Sequence, residues 1–120
     1  MSAELPPQIQ NQIAQLQQLQ QQAQALALQR SQLELALSEA DQTLAELEKL
    51  DDKSVIFKTV GTILVKSNSE DVKADLSEKK ETYSVRLKSL ERQEERVQTR
   101  FKQLQEQLKK ALGGGVPQAG

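Results

Sequence analysis

The sequence contains no cysteine, histidine or tryptophan, and its only aromatic side chains are one tyrosine and two phenylalanines. Without cysteine and histidine the chain cannot form disulfides, Cys/His zinc sites or histidine-based catalytic triads. It also lacks a glycine-rich phosphate loop and a cluster of metal-ligating side chains. We therefore predict a protein that is not an enzyme and that binds no cofactor and no metal.

Long apolar runs and a strong net charge are also missing. The sequence contains no run of about 18 apolar residues, the length that a transmembrane helix requires. Residues 1–10 are neither basic nor apolar enough for a signal peptide. These features favour a cytoplasmic protein without a membrane partner. The net charge is −1 and basic residues alternate with acidic ones, which argues against nucleic acid as a partner.

What is present is a composition rich in leucine, alanine, glutamine, glutamate, lysine and arginine, which is typical of coiled coils. Two stripes of apolar residues recur at alternating steps of three and four, which predicts long helices over residues 6–50 and 69–112. In the first stripe, the step from Leu16 to Leu19 is a second consecutive step of three and predicts local overwinding. Glycines and a proline after the second helix predict a disordered tail over residues 113–120.

The two stripes can be matched, because facing residues of an antiparallel helical hairpin have a constant sum of residue numbers. A sum of 120 fits from end to end, which places the turn at residue 60 and makes residues 1–120 one structural unit. It pairs, for example, Leu44 with Leu76, Leu37 with Tyr83, and Leu16 with Leu104.

Charge is divided unevenly between the two halves of the chain. Residues 1–53 carry eight acidic and three basic side chains, net −5, whereas residues 54–112 carry nine acidic and thirteen basic ones, net +4. Opposite charges favour antiparallel pairing of the two helices. The alternative is that the division has no structural role.

Polar residues occupy special positions in both predicted helices. Ser67, followed three residues later by Glu70, forms a capping-box pattern and predicts the start of the second helix. Arg30 and Glu94 interrupt the two apolar stripes. They either form an ion pair that sets the alignment of the helices or extend into solvent.

Between the helices, residues 54–67 read SVIFKTVGTILVKS, a nearly uncharged and β-branched stretch that predicts a β-hairpin with strands over 55–60 and 62–66. Gly61 and Thr62 fit a two-residue type II′ turn, and a turn at Val60 and Gly61 is the alternative. With the first turn, Lys58, Val60, Ile63 and Val65 share one face, and Phe57, Thr59 and Leu64 share the other.

This hairpin is predicted to assemble with others, because an isolated two-stranded hairpin is marginally stable in water. Its exposed apolar edges invite pairing with further strands, and a closed sheet or barrel would remove those edges. The alternative is a loop folded back onto the helices of a monomer or dimer. The predicted oligomerisation residues are Val55, Ile56, Phe57, Val60, Gly61, Ile63, Leu64 and Val65.

The helix ends furthest from the hairpin combine apolar residues with neutral amides. No charged residue occurs from Leu5 to Gln29, and twelve glutamines lie between residues 8 and 32. We expect two frayed helix ends to cover their apolar residues poorly, which predicts a binding surface tolerant of many partners. The alternative is that these residues only close the coil. The predicted binding residues are Leu5, Ile9, Ile13, Leu16, Leu108 and Leu112.

Three segments together resemble the β-type subunits of prefoldin, also called GimC, and in particular the archaeal ones. The segments are LPPQIQNQIAQLQQLQQQ, IFKTVGTILVK and LSEKKETYSVRLKSLERQEERV. The single hairpin agrees with a β-type subunit, since an α-type subunit would carry two. One small departure is Phe57, where the family often has tyrosine.

The resemblance implies an all-α dominated fold, a long antiparallel two-helix coiled coil joined by one β-hairpin that assembles into an oligomeric β-barrel platform. It further implies a hetero-hexamer of two α-type and four β-type subunits. The helix tips would capture unfolded client proteins without ATP and deliver them to a group II chaperonin. The alternative function is a structural coiled-coil scaffold or adaptor without client binding, which would not suppress aggregation of unrelated proteins.

Overall fold

The computed structural model describes residues 5–113, which form a helix, two strands and a second helix. Helix α1 spans Pro7–Glu48, strand β1 Ile56–Val60, strand β2 Ile63–Ser67, and helix α2 Ser69–Gly113. The predicted fold class of two long helices joined by a single β-hairpin is confirmed. Of the predicted tail over residues 113–120, Gly113 is instead the last residue of α2, and residues 114–120 lie outside the described residues.

Helix α1 begins at a proline because the first helical position needs no N–H donor. The backbone N–H of Gln10 donates to the Pro6 carbonyl at 3.0 Å, and the Gln10 side-chain amide donates to the Leu5 carbonyl at 2.8 Å. At the other end, Leu50 N–H donates to the Leu47 carbonyl at 3.2 Å, three residues back, so the helix tightens before it stops.

Asp51 turns the chain from α1 into the hairpin. Its Oδ1 atom accepts hydrogen bonds from the Lys53 N–H at 2.8 Å and from the Ser54 hydroxyl at 3.3 Å. The Ser54 N–H donates to the Asp51 carbonyl at 3.2 Å. Aspartate side chains stabilise such turns by replacing a backbone acceptor, and this turn holds the first strand at the end of the helix.

The hairpin has the predicted two-residue turn at Gly61 and Thr62, and the first of the two predicted alignments is confirmed. Val60 pairs with Ile63 and Ile56 pairs with Ser67, so the strands are antiparallel and in full register. Gly61 has φ +61°, and no other residue of the described chain has positive φ. A positive φ at the first turn residue alone is the pattern of a type II′ turn, whose twist suits a hairpin.

The predicted cap of the second helix is wrong by one residue. Ser67 is the last residue of β2, and Asn68 is the N-cap of α2. The Asn68 Oδ1 atom accepts from the Asp71 N–H at 2.8 Å, while its amide donates to the Asp71 carboxylate at 2.9 Å. Asparagine caps as well as serine does, and pairing with Ile56 keeps Ser67 in the sheet.

The contacts divide the chain into two compact units. We call residues 30–89 the hairpin unit and residues 1–29 with 90–120, of which 5–29 and 90–113 are described, the tip unit. Each has a narrow row of buried apolar residues in place of a globular core. The buried residues are Leu33, Ala40 and Leu47 in the hairpin unit and Ile9, Leu90 and Leu104 in the tip unit.

Ion pairs between α1 and α2 establish the helix direction in the hairpin unit. The Lys73 ammonium lies 3.2 Å from the Glu48 carboxylate, and Lys80 pairs with Asp41. Because the residue number rises on one helix as it falls on the other, the paired segments are antiparallel, within one residue of the predicted alignment. Arg30 pairs with Glu34 of its own helix at 2.8 Å. Within residues 5–113, neither helix is long and apolar enough to cross a membrane.

Candidate functional site

The hairpin presents a concentration of exposed apolar side chains. Between 49% and 71% of the surface of each of five large apolar residues is exposed, and all five are among the predicted oligomerisation residues. They are Val55, Phe57, Val60, Ile63 and Leu64. Burial of such surface stabilises a complex by roughly 25 cal/mol per Å², so the hairpin is well suited to bind an apolar partner.

The two faces of the hairpin differ in how much the chain itself covers them. One face carries Lys58, whose ammonium lies 3.8 Å from the Asp75 carboxylate of α2. On the same face, Ile56 and Val65 are partly covered. On the opposite face, Phe57 and Leu64 are exposed. The chain therefore covers the base of one face and leaves the opposite face open.

Both strands are edge strands, since the sheet contains only β1 and β2 among the described residues. A two-residue turn makes the first pair, Val60 and Ile63, a hydrogen-bonded pair, and the pairs then alternate along an antiparallel ladder. The backbone groups of Thr59 and Leu64 consequently point away from the hairpin, one from each edge. Each edge can accept a further strand, which gives this surface directional hydrogen bonds as well as apolar contacts.

The predicted binding residues of the tip unit differ in exposure, and one of them, Ile9, is buried. We call residues 5–16 and 104–113 the tip. Leu5 and Leu112 are 41% and 50% exposed. Ile13, Leu16 and Leu108 are partly buried. The chain therefore covers the apolar side chains of the tip better than the sequence analysis expects.

Ile9 differs from the expectation that the tip covers its apolar residues poorly, because only 6% of its surface is exposed. Helix α2 continues to Gly113, one residue beyond its predicted end. Ile9 therefore belongs to the row of buried residues, together with Leu104, which is 2% exposed. Whether the remaining tip residues bind another protein stays a prediction.

Two grooves on the tip unit have no counterpart in the sequence-based interpretation. Small alanine side chains of α1 leave a groove where they lie beside α2. The first groove is lined by Gln20, Ala23, Glu94, Val97, Gln98 and Phe101, and the second by Gln22, Ala25, Leu26, Gln93, Arg96 and Val97. The two alanines are the only feature of the sequence that could have indicated these grooves. The grooves also depend on which α2 residues lie opposite the alanines.

The part of the chain from residue 5 to 113 contains no group of three or more acidic, histidine or cysteine side chains placed to hold a metal ion. What the two surfaces offer is apolar contact area, neutral amides at the tip, and free backbone groups at the hairpin edges.

A family model described as "Prefoldin subunit" matches residues 10–115 of the chain. Curated relatives agree along nearly the whole length. The chain is 57% identical over 113 residues to the prefoldin subunit beta of Methanosarcina acetivorans, a match that covers 94% of this chain and 97% of that protein. It is 56% identical over 113 residues to the prefoldin subunit beta of Methanococcoides burtonii, with the same coverage of both chains.

A solved structure has the same fold. The crystal structure of the prefoldin beta subunit from Thermococcus strain KS-1 superimposes with a TM-score of 0.82 at 42% sequence identity. The match covers 92% of this chain and 97% of that chain.

Proposed function

The chain belongs to the prefoldin family and is a beta-type subunit of it, and we propose that it captures unfolded proteins at its tip without ATP. Near full-length similarity to prefoldin beta subunits is the observation that carries this proposal. The same similarity supports a chaperone role in the family and assembly with other prefoldin subunits. We further propose a cytoplasmic protein without enzymatic activity that delivers its clients to a group II chaperonin.

We propose that the hairpin drives assembly into a hexamer of two α-type and four β-type subunits. The exposed apolar side chains and the two unpaired strand edges support this, because a closed barrel of hairpins would cover both. The partners would be α-type subunits and other copies of this chain.

Client capture is assigned to the tip because an unfolded chain presents apolar side chains in no fixed order. The exposed Leu5 and Leu112, and the absence of charge from Leu5 to Gln29, support an apolar surface that does not select by charge. A single tip would bind weakly. Several tips held on one platform would gain affinity through their high effective concentration.

The test replaces two exposed tip residues and one partly buried tip residue by serine in the assembled complex. We expect Leu5→Ser, Ile13→Ser and Leu112→Ser together to weaken suppression of client aggregation several-fold, measured by light scattering of a denatured client. The matched control is Leu35→Ser with Val85→Ser, two residues of the hairpin unit that are 61% and 64% exposed. The control should protect the client as the parent does, and sizing should show both variants assembled.

A scaffold without client binding is the second candidate, and the burial of Ile9 favours it. If the tip only closes the coil, the tip variant will protect the client as well as the parent does. In that case its thermal stability, and not its protective effect, will be reduced.

A further inference from the structure

Helix α2 carries a row of three arginines within the tip unit. Arg92, Arg96 and Arg100 are four residues apart and exposed. Neighbouring members are separated by about 6 Å along the helix, from a rise of about 1.5 Å per residue. The three side chains border one shallow depression on the helix surface, together with Glu95, Thr99 and Gln103.

None of the three guanidinium groups has a salt bridge or hydrogen bond within residues 5–113. In the hairpin unit, by contrast, Lys73 and Lys80 reach acidic residues of α1. The reason is visible in the sequence, because α1 contains no charged residue before Arg30. Like charges four residues apart destabilise a helix, and no ion pair within residues 5–113 offsets that repulsion.

We propose that this arginine row is a docking surface for an acidic helix of another protein, whose carboxylates recur every four residues. Two helices have the same rise, so carboxylates at that spacing match the three guanidinium groups one to one. Arginine binds a carboxylate through two parallel N–H donors. This geometry favours carboxylates held in place on a helix over mobile counterions from solution. This proposal does not rest on client capture.

Charge near the row distinguishes an acidic helix from nucleic acid. Glu91, Glu95 and Glu106 lie on the same segment of α2 and interrupt its positive charge. A phosphate backbone would be repelled by these carboxylates, since it carries negative charge without interruption. An acidic helix can place neutral or basic side chains opposite them.

The experiment measures binding of a labelled helical peptide to the full-length chain by fluorescence anisotropy. The peptide carries glutamate at every fourth position on an alanine and glutamine background. One comparison peptide has the same composition with its glutamates distributed around the helix, and a single-stranded oligonucleotide is the second comparison. We expect the patterned peptide to bind most tightly, and its affinity to fall as salt screens the charges.

The row variant combines Arg92→Gln, Arg96→Gln and Arg100→Gln. Its matched control removes the same charge through Lys79→Gln, Arg86→Gln and Lys88→Gln, three exposed bases of the hairpin unit. We expect about a tenfold loss of affinity for the row variant, equivalent to ~1.4 kcal/mol, and less than about a twofold loss for the control. Circular dichroism verifies that both variants remain helical.

Several results would overturn the proposal. They are equal losses in the two variants, equal binding of the two peptides, tighter binding of the oligonucleotide, or no binding of the patterned peptide at low salt. Replacing all three arginines by glutamate adds an independent check. That variant should bind a peptide with lysine at every fourth position more tightly than the parent does. Failure to do so would also contradict the proposal that the arginine row is a docking surface.

Discussion

The hairpin and the tip both expose apolar side chains, but they differ in what else they offer a partner. The hairpin adds two strand edges with free backbone donors and acceptors, which require a partner strand in a defined register. The tip adds neutral glutamine amides on long flexible side chains, which impose no register. This difference suits the hairpin to a fixed partner and the tip to a variable one.

The largest expected effect is a loss of assembly caused by substitutions in the hairpin that leave the helices intact. In the isolated chain Leu64 is 71% exposed and Phe57 57%, so changing both to aspartate should affect the subunit's own folding little. Inside an assembled sheet the same changes would bury unpaired charges, at a cost of several kcal/mol each. We expect native mass spectrometry to show monomers or small species with unchanged helical content. Leu35→Asp, at an equally exposed helical position, should still assemble.

The turn should be the next most sensitive position. Gly61 has φ +61° and nothing lies within 4 Å of the place a Cβ would occupy. Gly61→Ala would therefore introduce backbone strain without a steric clash, at a cost of about 1–2 kcal/mol. Hydrogen exchange of the hairpin amides should become faster, and assembly should require a higher protein concentration. Exchange rates unchanged from the parent would contradict the type II′ turn.

The helix cap is expected to have a smaller and more local effect. Asn68→Ala removes the acceptor for the Asp71 N–H and should lower the free energy of unfolding by about 1 kcal/mol. Ser67→Ala is the matched control, because Ser67 is in the strand and not at the cap. Thermal unfolding of both variants shows whether Asn68 or Ser67 caps the helix. A larger loss for Ser67→Ala would restore the capping box that the sequence predicts.

The smallest effect is expected from the ion pairs of the hairpin unit. Lys80→Gln or Asp41→Asn should each cost only about 0.2–1 kcal/mol, because both side chains are partly exposed and screened by solvent. A double-mutant cycle on the unfolding free energy should give a coupling energy that decreases with added salt. A coupling that is independent of salt would show that the two residues interact through packing.

Much of the fold follows from the sequence because its signals are local and repeated. The alternating steps of three and four predict two long helices, and one glycine in a β-branched stretch predicts both the turn and the strand register. Local signals compete at the helix cap, where Ser67 and Asn68 are both good caps and only the pairing of Ser67 with Ile56 decides between them.

The candidate site is less predictable because it depends on what lies opposite each residue. Ile9 is only 6% exposed although it lies in the first turn of α1, and such burial depends on residues that are close in space, which its own neighbours in sequence do not reveal. The grooves beside Ala23 and Ala25 likewise depend on the volume of the facing α2 residues. Exposure of the hairpin was easier to predict, since a two-stranded sheet next to a narrow pair of helices has few ways to cover both of its faces.

The proposed division between a hairpin that drives assembly and a tip that binds clients can be tested in one measurement. Native mass spectrometry would follow this chain, co-expressed with an α-type subunit and mixed with an unfolded client. The serine variant of Leu5, Ile13 and Leu112 is predicted to keep the mass of the hexamer and to lose the client-bound species. The aspartate variant of Phe57 and Leu64 is predicted to lose the hexamer. A tip variant that carries as much client as the parent, or a hairpin variant that still forms the hexamer, would contradict the account.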